Sequence, residues 1–171
     1  YQPDLVIWDY TLNDISHGAI FEWYISMDKK KKRTLIKTPS RFINYIQNKL
    51  WKLYSSEAFV DYILEIYQSD RYWHELTLYL KRVNNLIKEK DPKLLILKFP
   101  QLDALEKKAY VFKPIHIKLA KYFKHSNIPF IDFTDIFQEN DPSSLKVHYL
   151  DAHPNEIAHK LIADKVIKEI R

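Results

Sequence analysis

Short continuous apolar runs alternate along this chain with longer stretches whose apolar residues recur at helical spacing. The runs over residues 5–10, 93–99 and 128–133 are rich in aliphatic and aromatic residues, which is typical of strands buried in a parallel sheet. Strands that alternate with helices of about ten or more residues form βαβ units. The pattern therefore predicts an α/β fold with a parallel sheet.

Helical spacing predicts helices in the middle of the chain and at its end. It begins at Arg41, and Ser55 and Ser56 are expected to cap a second helix. A longer helix should end before Pro92, because the residue ahead of a proline is pushed out of the α region. Pro114 is expected to open a further helix. The residues predicted to face the core are Phe42, Ile46, Leu50, Leu53, Phe59, Ile63 and Ile66, then Trp73, Leu76, Leu80, Val83 and Ile87, then Ile115, Leu119, Tyr122 and Phe123, and finally Ala158, Leu161, Ile162, Val166 and Ile170.

Length and composition favour one folded domain over residues 1–171, in which residues 16–72 form a helical excursion. No apolar run approaches the roughly 20 residues that span a bilayer, so no transmembrane segment is predicted. The chain has no cysteine, which excludes disulfides, thiolate metal sites and a cysteine nucleophile.

The net charge of +5 comes largely from one run, Lys29-Lys30-Lys31-Lys32-Arg33. Nucleic-acid interfaces combine such charge with aromatic residues on which bases stack. No aromatic residue interrupts this run. We therefore predict a solvated loop and no nucleic-acid partner.

Candidate chemistry lies near the end of the chain, in Asp151-Ala152-His153-Pro154, which we expect to form a short loop before a helix over 156–171. Pro154 is suited to the first position of that helix. An Asp that orients a His acting as general base is half of a hydrolytic triad. Asn13 follows the first predicted strand, and ligands of parallel sheets bind beyond the carboxyl ends of strands. Asn13, Asp151 and His153 are therefore expected to converge.

Two blocks of the chain resemble the SGNH (GDSL-type) hydrolases. Residues 3–14, ending in Thr11-Leu12-Asn13-Asp14, resemble that family's third block, a buried strand that ends in Gly-x-Asn-Asp or a near variant. The segment 151–155, with His159 and Ala163 in the following helix, resembles the fifth block. The order of the intervening helices and strands also fits, so the resemblance covers most of the chain, although only the two end blocks are specific.

This resemblance implies a flavodoxin-like, three-layer α/β/α fold whose N-terminal strand or strands are missing here. It also implies that His153 is the general base, that Asp151 orients it, and that the side chain of Asn13 donates to the oxyanion. Asp14 is expected to hold the turn through backbone hydrogen bonds.

The chain departs from the family pattern at the nucleophile. In the family, the reactive Ser belongs to a Gly-Asp-Ser block after the first strand, and the second block supplies an oxyanion Gly; neither block is present. The one glycine, Gly18, does not lie at a strand-to-helix elbow. Thr11 and Ala158 stand where the family often has Gly.

Two explanations fit the missing Ser: the chain is the C-terminal part of a longer protein, or it is an inactive relative. A start within a motif and without Met favours the first. We therefore predict a serine esterase that hydrolyses an acyl ester, such as a carbohydrate O-acetyl or lipid ester, with its Ser encoded upstream, and we expect this fragment alone to be inactive. A non-catalytic binding module and an O-acetyltransferase that uses the same site are the alternatives.

The same residues also have other interpretations, in which they form a helix cap or a metal site. Asp151 could simply cap the last helix, with His153 an ordinary surface residue. Asp151, His153 and His159 could form a metal site, but His159 is one of seven histidines and is expected to pack on the sheet or bond the loop. We predict no metal and no cofactor. His17 and His148 are poorer candidates for the base, because neither lies in an Asp-x-His-Pro context.

Overall fold

The computed structural model of the protein describes residues 3–89, 93–105, 109–148 and 151–170. Its strands are β1 (Leu5–Tyr10), β2 (Lys93–Lys98), β3 (Phe130–Asp132), β4 (Lys146–His148) and β5 (Asp151–Pro154). Its α-helices are α1 (His17–Thr34), α2 (Arg41–Gln68), α3 (Asp70–Lys88), α4 (Leu102–Leu105), α5 (Lys113–His125), α6 (Thr134–Gln138) and α7 (Glu156–Ile170). Two 3₁₀ turns span Leu12–Ile15 and Pro142–Leu145.

Strands β1, β2 and β3 form a parallel sheet in that order. The register places Tyr10 opposite Lys98, and Lys98 opposite Asp132, so the carboxyl ends of the three strands lie side by side. The predicted mixed α/β fold with a parallel sheet is confirmed, and the three predicted strands are present with ends shifted by no more than two residues.

Burial differs sharply between neighbouring strands. From its second residue onward β2 is buried, whereas in β1 only Tyr10 is, and Ile7 is 46% exposed. The expectation that the first strand is buried is therefore wrong for most of β1. The physical reason is its position: among the described residues β1 pairs with β2 alone, so it forms an edge of the sheet.

Aromatic side chains pack one face of the sheet against α3 and α5. The ring of Trp8 meets Tyr79 of α3 edge-on at 5.8 Å between centroids, and Tyr10 meets Phe123 of α5 at 6.2 Å. Phe123 also lies 5.4 Å from Phe130 of β3. Each such pair stabilises the fold by about 0.5–1.5 kcal/mol beyond the area that it buries.

The chain divides into two compact units. One contains the residues up to Leu12 and from Leu78 onward, and thus the sheet and α4 to α7; the other is Asn13–Thr77. The single domain expected over 1–171 stays a prediction. No helix of the described chain combines the length and the apolar character needed to cross a bilayer.

The second unit is built on an antiparallel pair formed by α1 and α2. The Tyr62 hydroxyl donates to the Ala19 carbonyl at 2.9 Å, and the Trp23 ring lies 5.0 Å from that of Phe59. At the far end, Gln47 exchanges two hydrogen bonds with the backbone of Ile36, at 2.7 and 3.1 Å.

Three expectations for this unit are wrong. The basic run does not form a loop but the last turns of α1, whose N-cap hydroxyl, on Ser16, accepts from Ala19 N at 3.3 Å. The two predicted helices after Arg41 are the single helix α2. Ser55 and Ser56 donate to the Lys52 carbonyl inside it, at 3.1 and 2.9 Å, instead of capping a new helix.

The stripe predicted to face the core along α2 is buried only in its C-terminal part. Ile63 and Ile66 are buried, but Phe42, Ile46, Leu50 and Leu53 are all exposed. At 3.6 residues per turn, the first four residues of the predicted stripe share one face of α2 and its last three share another, so the spacing holds within each predicted helix but not along the single helix. Spacing does not report what covers a face, and nothing among the described residues buries the face formed by the first four.

Candidate functional site

Asp151 and His153 lie on β5 and not on the predicted loop. Strand β5 pairs antiparallel with β4, with Asp151 opposite His148. Residues two apart on a strand point to the same side, so the strand itself brings the carboxylate and the imidazole together. Asp151 Oδ1 lies 2.5 Å from His153 Nδ1 and also accepts from the backbone N–H of His153 at 3.1 Å. The predicted pairing of Asp151 with His153 is present.

The pair is open to solvent. The side chain of His153 is 86% exposed and that of Asp151 is 47% exposed. Hydrogen bonds from the backbone N–H and then the ring of His153 lower the pKa of the Asp151 carboxyl. The ionised carboxylate holds the hydrogen on Nδ1, and no hydrogen bond among the described residues uses His153 Nε2. Nε2 is therefore left to accept a proton from a bound hydroxyl.

Asn155 joins the antiparallel pair of strands β4 and β5, called the β4–β5 hairpin, to α7. Its side-chain N–H group donates to the carbonyls of Ser144 and Lys146, at 2.8 and 3.0 Å. Its side-chain oxygen accepts from the backbone N–H groups of Ile157 and Ala158, at 3.0 and 3.2 Å. Asn155 is thus the N-cap of α7 and also ties the helix start to the segment that leads into β4.

Pro154 was expected at the first helical position, and that expectation is wrong. Pro154 is the last residue of β5 and pairs with Lys146, whereas α7 begins at Glu156 after the Asn155 cap. A proline has no N–H to donate to a ladder, so it is tolerated at the end of an outer strand as it is at a helix start.

The hairpin is also anchored to the carboxyl end of the parallel sheet. Lys146 is buried, and its Nζ lies 3.2 Å from Asp103 Oδ1 on α4. Helix α4 begins four residues after β2 ends at Lys98, and it packs on both the second 3₁₀ turn and β5. Asp151 and His153 therefore lie on a hairpin held at the carboxyl-end side of β2.

Asn13 lies in the 3₁₀ turn that directly follows β1, where it is half-buried. The predicted turn out of the strand is confirmed. Asn13 belongs to the second compact unit, whereas Asp151 and His153 belong to the first. Its convergence with that pair, and the role of Asp14 in holding the turn, stay predictions.

A buried polar network that the sequence analysis missed lies where β2 and β3 end. Lys98, which is fully buried, places its Nζ 2.6 Å from Asp132 Oδ2 and donates to the carbonyl of His116 at 2.9 Å. Thr134 donates to Asp132 Oδ1 through its hydroxyl at 2.6 Å and through its backbone N–H at 3.0 Å. One carboxylate thus accepts from a strand neighbour and from the start of α6.

The same network determines the protonation of a buried histidine. Because the Thr134 hydroxyl hydrogen goes to Asp132, its oxygen must accept from His116 Nδ1, 3.0 Å away. His116 Nε2 then accepts from the Tyr110 hydroxyl at 3.0 Å, and that oxygen accepts from Gln101 N at 3.1 Å. Burial lowers the pKa of His116, which favours the neutral imidazole with its hydrogen on Nδ1. His116 Nδ1 also lies 3.5 Å from Asp132 Oδ1, a longer and weaker contact than the one to Thr134.

Burial and charge shift the pKa values of the four titratable groups of this network. Burial lowers the pKa of Lys98 and of His116, although in each case Asp132 acts in the opposite direction. Burial by itself would raise the pKa of Asp132, but hydrogen bonds from His116, Lys98 and Thr134 outweigh it and lower that pKa far below its usual range. Burial raises the pKa of Tyr110.

The other histidines considered as site residues lie on the surface. His159 is exposed on α7, so it does not pack on the sheet, and the alternative expectation that it bonds the loop stays a prediction. His17 is exposed in the first turn of α1, and His148 faces Asp151 across the hairpin. No group of three or more His, Asp or Glu side chains in the described parts of the chain could hold a metal ion. A Cβ at Gly18 would meet open space, so this glycine serves no close backbone approach.

Comparisons with protein-family models, with curated proteins and with solved structures find no match to this chain.

The double role of Asn155 predicts a graded loss of stability. Asn155→Ser keeps an N-cap oxygen but loses the donors to Ser144 and Lys146, whereas Asn155→Ala loses both functions. We expect a lower free energy of unfolding in denaturant titrations, by about 1–2 kcal/mol for Asn155→Ser and by about 1 kcal/mol more for Asn155→Ala. The exposed Asn85→Ala is the control and should stay within about 0.5 kcal/mol of wild type. Equal stability of wild type and Asn155→Ser would contradict the bridging role.

The buried neutral imidazole predicts that acid weakens the fold. Burial lowers the pKa of His116 below the value near 6.5 of an unfolded chain, so the unfolded state binds more protons below pH 6.5 and stability falls as pH falls. One such group can remove at most about 1.4 kcal/mol per pH unit. We expect His116→Asn to be less stable at pH 7.5 but to lose less on acidification to pH 5.5, as measured by denaturant titration at each pH.

The exposed His159→Asn is the matched control for this experiment, and it should keep the pH dependence of wild type. If His116→Asn kept it as well, the neutral histidine would not be its source.

Proposed function

We propose that this chain is the C-terminal part of a serine ester hydrolase of the SGNH type, with the nucleophilic Ser supplied by sequence upstream of Tyr1. The observation that supports this most directly is the 2.5 Å contact of Asp151 Oδ1 with His153 Nδ1, together with an Nε2 that bonds none of the described residues. This is the arrangement that a general base needs: one ring nitrogen held by a carboxylate and the other open to a hydroxyl.

The proposed mechanism is acyl transfer in two halves. The Ser oxygen attacks the ester carbonyl while His153 Nε2 takes its proton, and Asp151 stabilises the imidazolium that forms. The bond from the carbonyl carbon to the alcohol oxygen then breaks, and the imidazolium returns the proton to the leaving alcohol. In the second half, water attacks the acyl-Ser ester with the same base, which releases the acid and restores the Ser. The Asn13 amide donates to the carbonyl oxygen as it gains charge.

The exposure of Ile7 on β1, a strand that pairs with β2 alone among the described residues, supports the expected flavodoxin-like, three-layer fold with at least one more strand. Ile7 is 46% exposed although its neighbour across the pair, Leu95, is buried. A strand from the upstream sequence, paired with the open edge of β1, would cover this side chain and complete the sheet. The nucleophile would then lie at the carboxyl end of that upstream strand, because in the family the Ser block precedes the Asn block along the chain.

The test is to express the full-length protein and to assay it on p-nitrophenyl acetate. We expect His153→Ala to abolish turnover, because it removes the proposed general base. Asp151→Asn should lower kcat by about 10⁴-fold, since an amide oxygen selects the tautomer less well and does not stabilise the imidazolium. Asn13→Ala should lower kcat by about 10²–10³-fold with little change in binding.

His159→Ala changes an exposed histidine six residues away and should leave turnover unchanged. Equal activity of wild type and His153→Ala would refute the assignment. An inactive full-length chain without a Gly-Asp-Ser block would instead favour a non-catalytic binding module, and acetyl transfer to an added sugar faster than hydrolysis would favour an O-acetyltransferase.

A further inference from the structure

The far end of the α1–α2 pair, residues 29–54, is called the hairpin tip here, and its charge is entirely of one sign. Residues 29–56 include nine Lys or Arg and no Asp or Glu. The nine are Lys29, Lys30, Lys31, Lys32, Arg33, Lys37, Arg41, Lys49 and Lys52. Lys32 is paired with Asp28, just outside the tip, at 2.5 Å, and the other eight cations leave the tip with a strongly positive field.

The same tip exposes large apolar side chains. Phe42 is 73% exposed, Leu50 61% and Leu53 60%. Other exposed apolar or aromatic residues of the tip are Ile36, Ile43, Tyr45, Ile46 and Tyr54. Single apolar residues on a surface need no explanation, but a contiguous group of this kind marks an interaction site.

Helix geometry arranges these residues into an amphipathic surface. At 3.6 residues per turn, Phe42, Ile46, Leu50 and Leu53 fall within an arc of about 80° on α2, with Lys52 and Arg41 along one flank. The α1 side is attached by Lys30, which donates to the Tyr54 hydroxyl and lies over the Tyr54 ring at 4.6 Å from its centroid. The basic run of α1 thus borders the apolar stripe of α2.

We propose that the hairpin tip binds the surface of an anionic lipid bilayer. The apolar stripe would enter the boundary between headgroups and acyl chains, the lysines on its flank would reach the anionic headgroups, and the tyrosines would lie at the interface. The helices would lie on the membrane and not span it. This inference rests on the tip alone and does not depend on the proposed esterase.

Charge and chemistry argue against the other occupants. A second copy docked through the same face would bring nine cations against nine, which like-charge repulsion disfavours. Nucleic acid would satisfy the cations but would offer no apolar phase to Leu50 and Leu53, whose aliphatic side chains do not stack on bases. An anionic bilayer complements both the charge and the apolar stripe.

Vesicle sedimentation with the intact chain tests the proposal. We expect binding to phosphatidylcholine vesicles that contain about one third phosphatidylserine, little binding to pure phosphatidylcholine, and weaker binding at 0.5 M than at 0.05 M salt. Leu50→Gln combined with Leu53→Gln should weaken binding by about 10- to 100-fold, because two apolar side chains no longer enter the bilayer. Both positions are exposed and Gln is a good helix former, so circular dichroism should be unchanged.

The matched control combines Leu86→Gln on α3 with Ile117→Gln on α5, two residues of similar exposure that lie outside the tip. This variant should bind like wild type. Absence of binding to the anionic vesicles at low salt would overturn the proposal, as would equal binding by the Leu50→Gln and Leu53→Gln variant. Binding of single-stranded RNA without binding of vesicles, or a dimer that Leu50→Gln and Leu53→Gln dissociate in the absence of lipid, would assign the tip to one of the other occupants.

Discussion

The ion pair between Lys98 and Asp132 is the interaction on which the carboxyl end of the sheet depends. Lys98 is fully buried in the central strand, and its ammonium group is tolerated there only because Asp132 and the carbonyl of His116 receive its hydrogens. Removing one partner of such a pair leaves an uncompensated buried charge and costs about 3–5 kcal/mol. The pair joins β2 to β3, and the hydrogen bond from Lys98 to the His116 carbonyl links α5 to β2. The network therefore determines where the strands end and where the segments that follow them begin.

This network and the Asp151–His153 pair use the same residue types for different purposes. In the network, both nitrogens of His116 are engaged, and among the described residues no buried side-chain polar atom lacks a partner. A fully satisfied, buried histidine has no free nitrogen with which to take a proton from a substrate. His153 has one engaged nitrogen, one open nitrogen and a solvent-exposed ring. Chemistry is therefore expected at the exposed pair, and rigidity of the surrounding scaffold at the buried one.

Sequence patterns predicted the three parallel strands well, the helices only in part and the tertiary partners poorly. The three parallel strands follow from continuous apolar runs, and the Asp-x-His spacing identified two side chains that do meet. The prediction placed Asp151 and His153 on a loop, because a four-residue strand such as β5 is too short for a periodic signal. The burial of Lys98 gave no signal in the sequence, since its partner Asp132 lies far along the chain. The exposed apolar residues from Phe42 to Leu53 were predicted as core for a related reason: periodicity identifies a face and not its cover.

The two proposals concern different compact units, so each can fail without the other. Asp151 and His153 belong to the unit that contains the sheet, whereas Phe42, Leu50 and Leu53 belong to the helical unit. A soluble ester such as p-nitrophenyl acetate requires no bilayer, so its hydrolysis reports on the exposed histidine alone. Vesicle binding requires no nucleophile, so it reports on the hairpin tip alone. If both hold, the bilayer would concentrate the enzyme where lipid-borne esters are found, and specificity would come from location as well as from contacts at the acyl group.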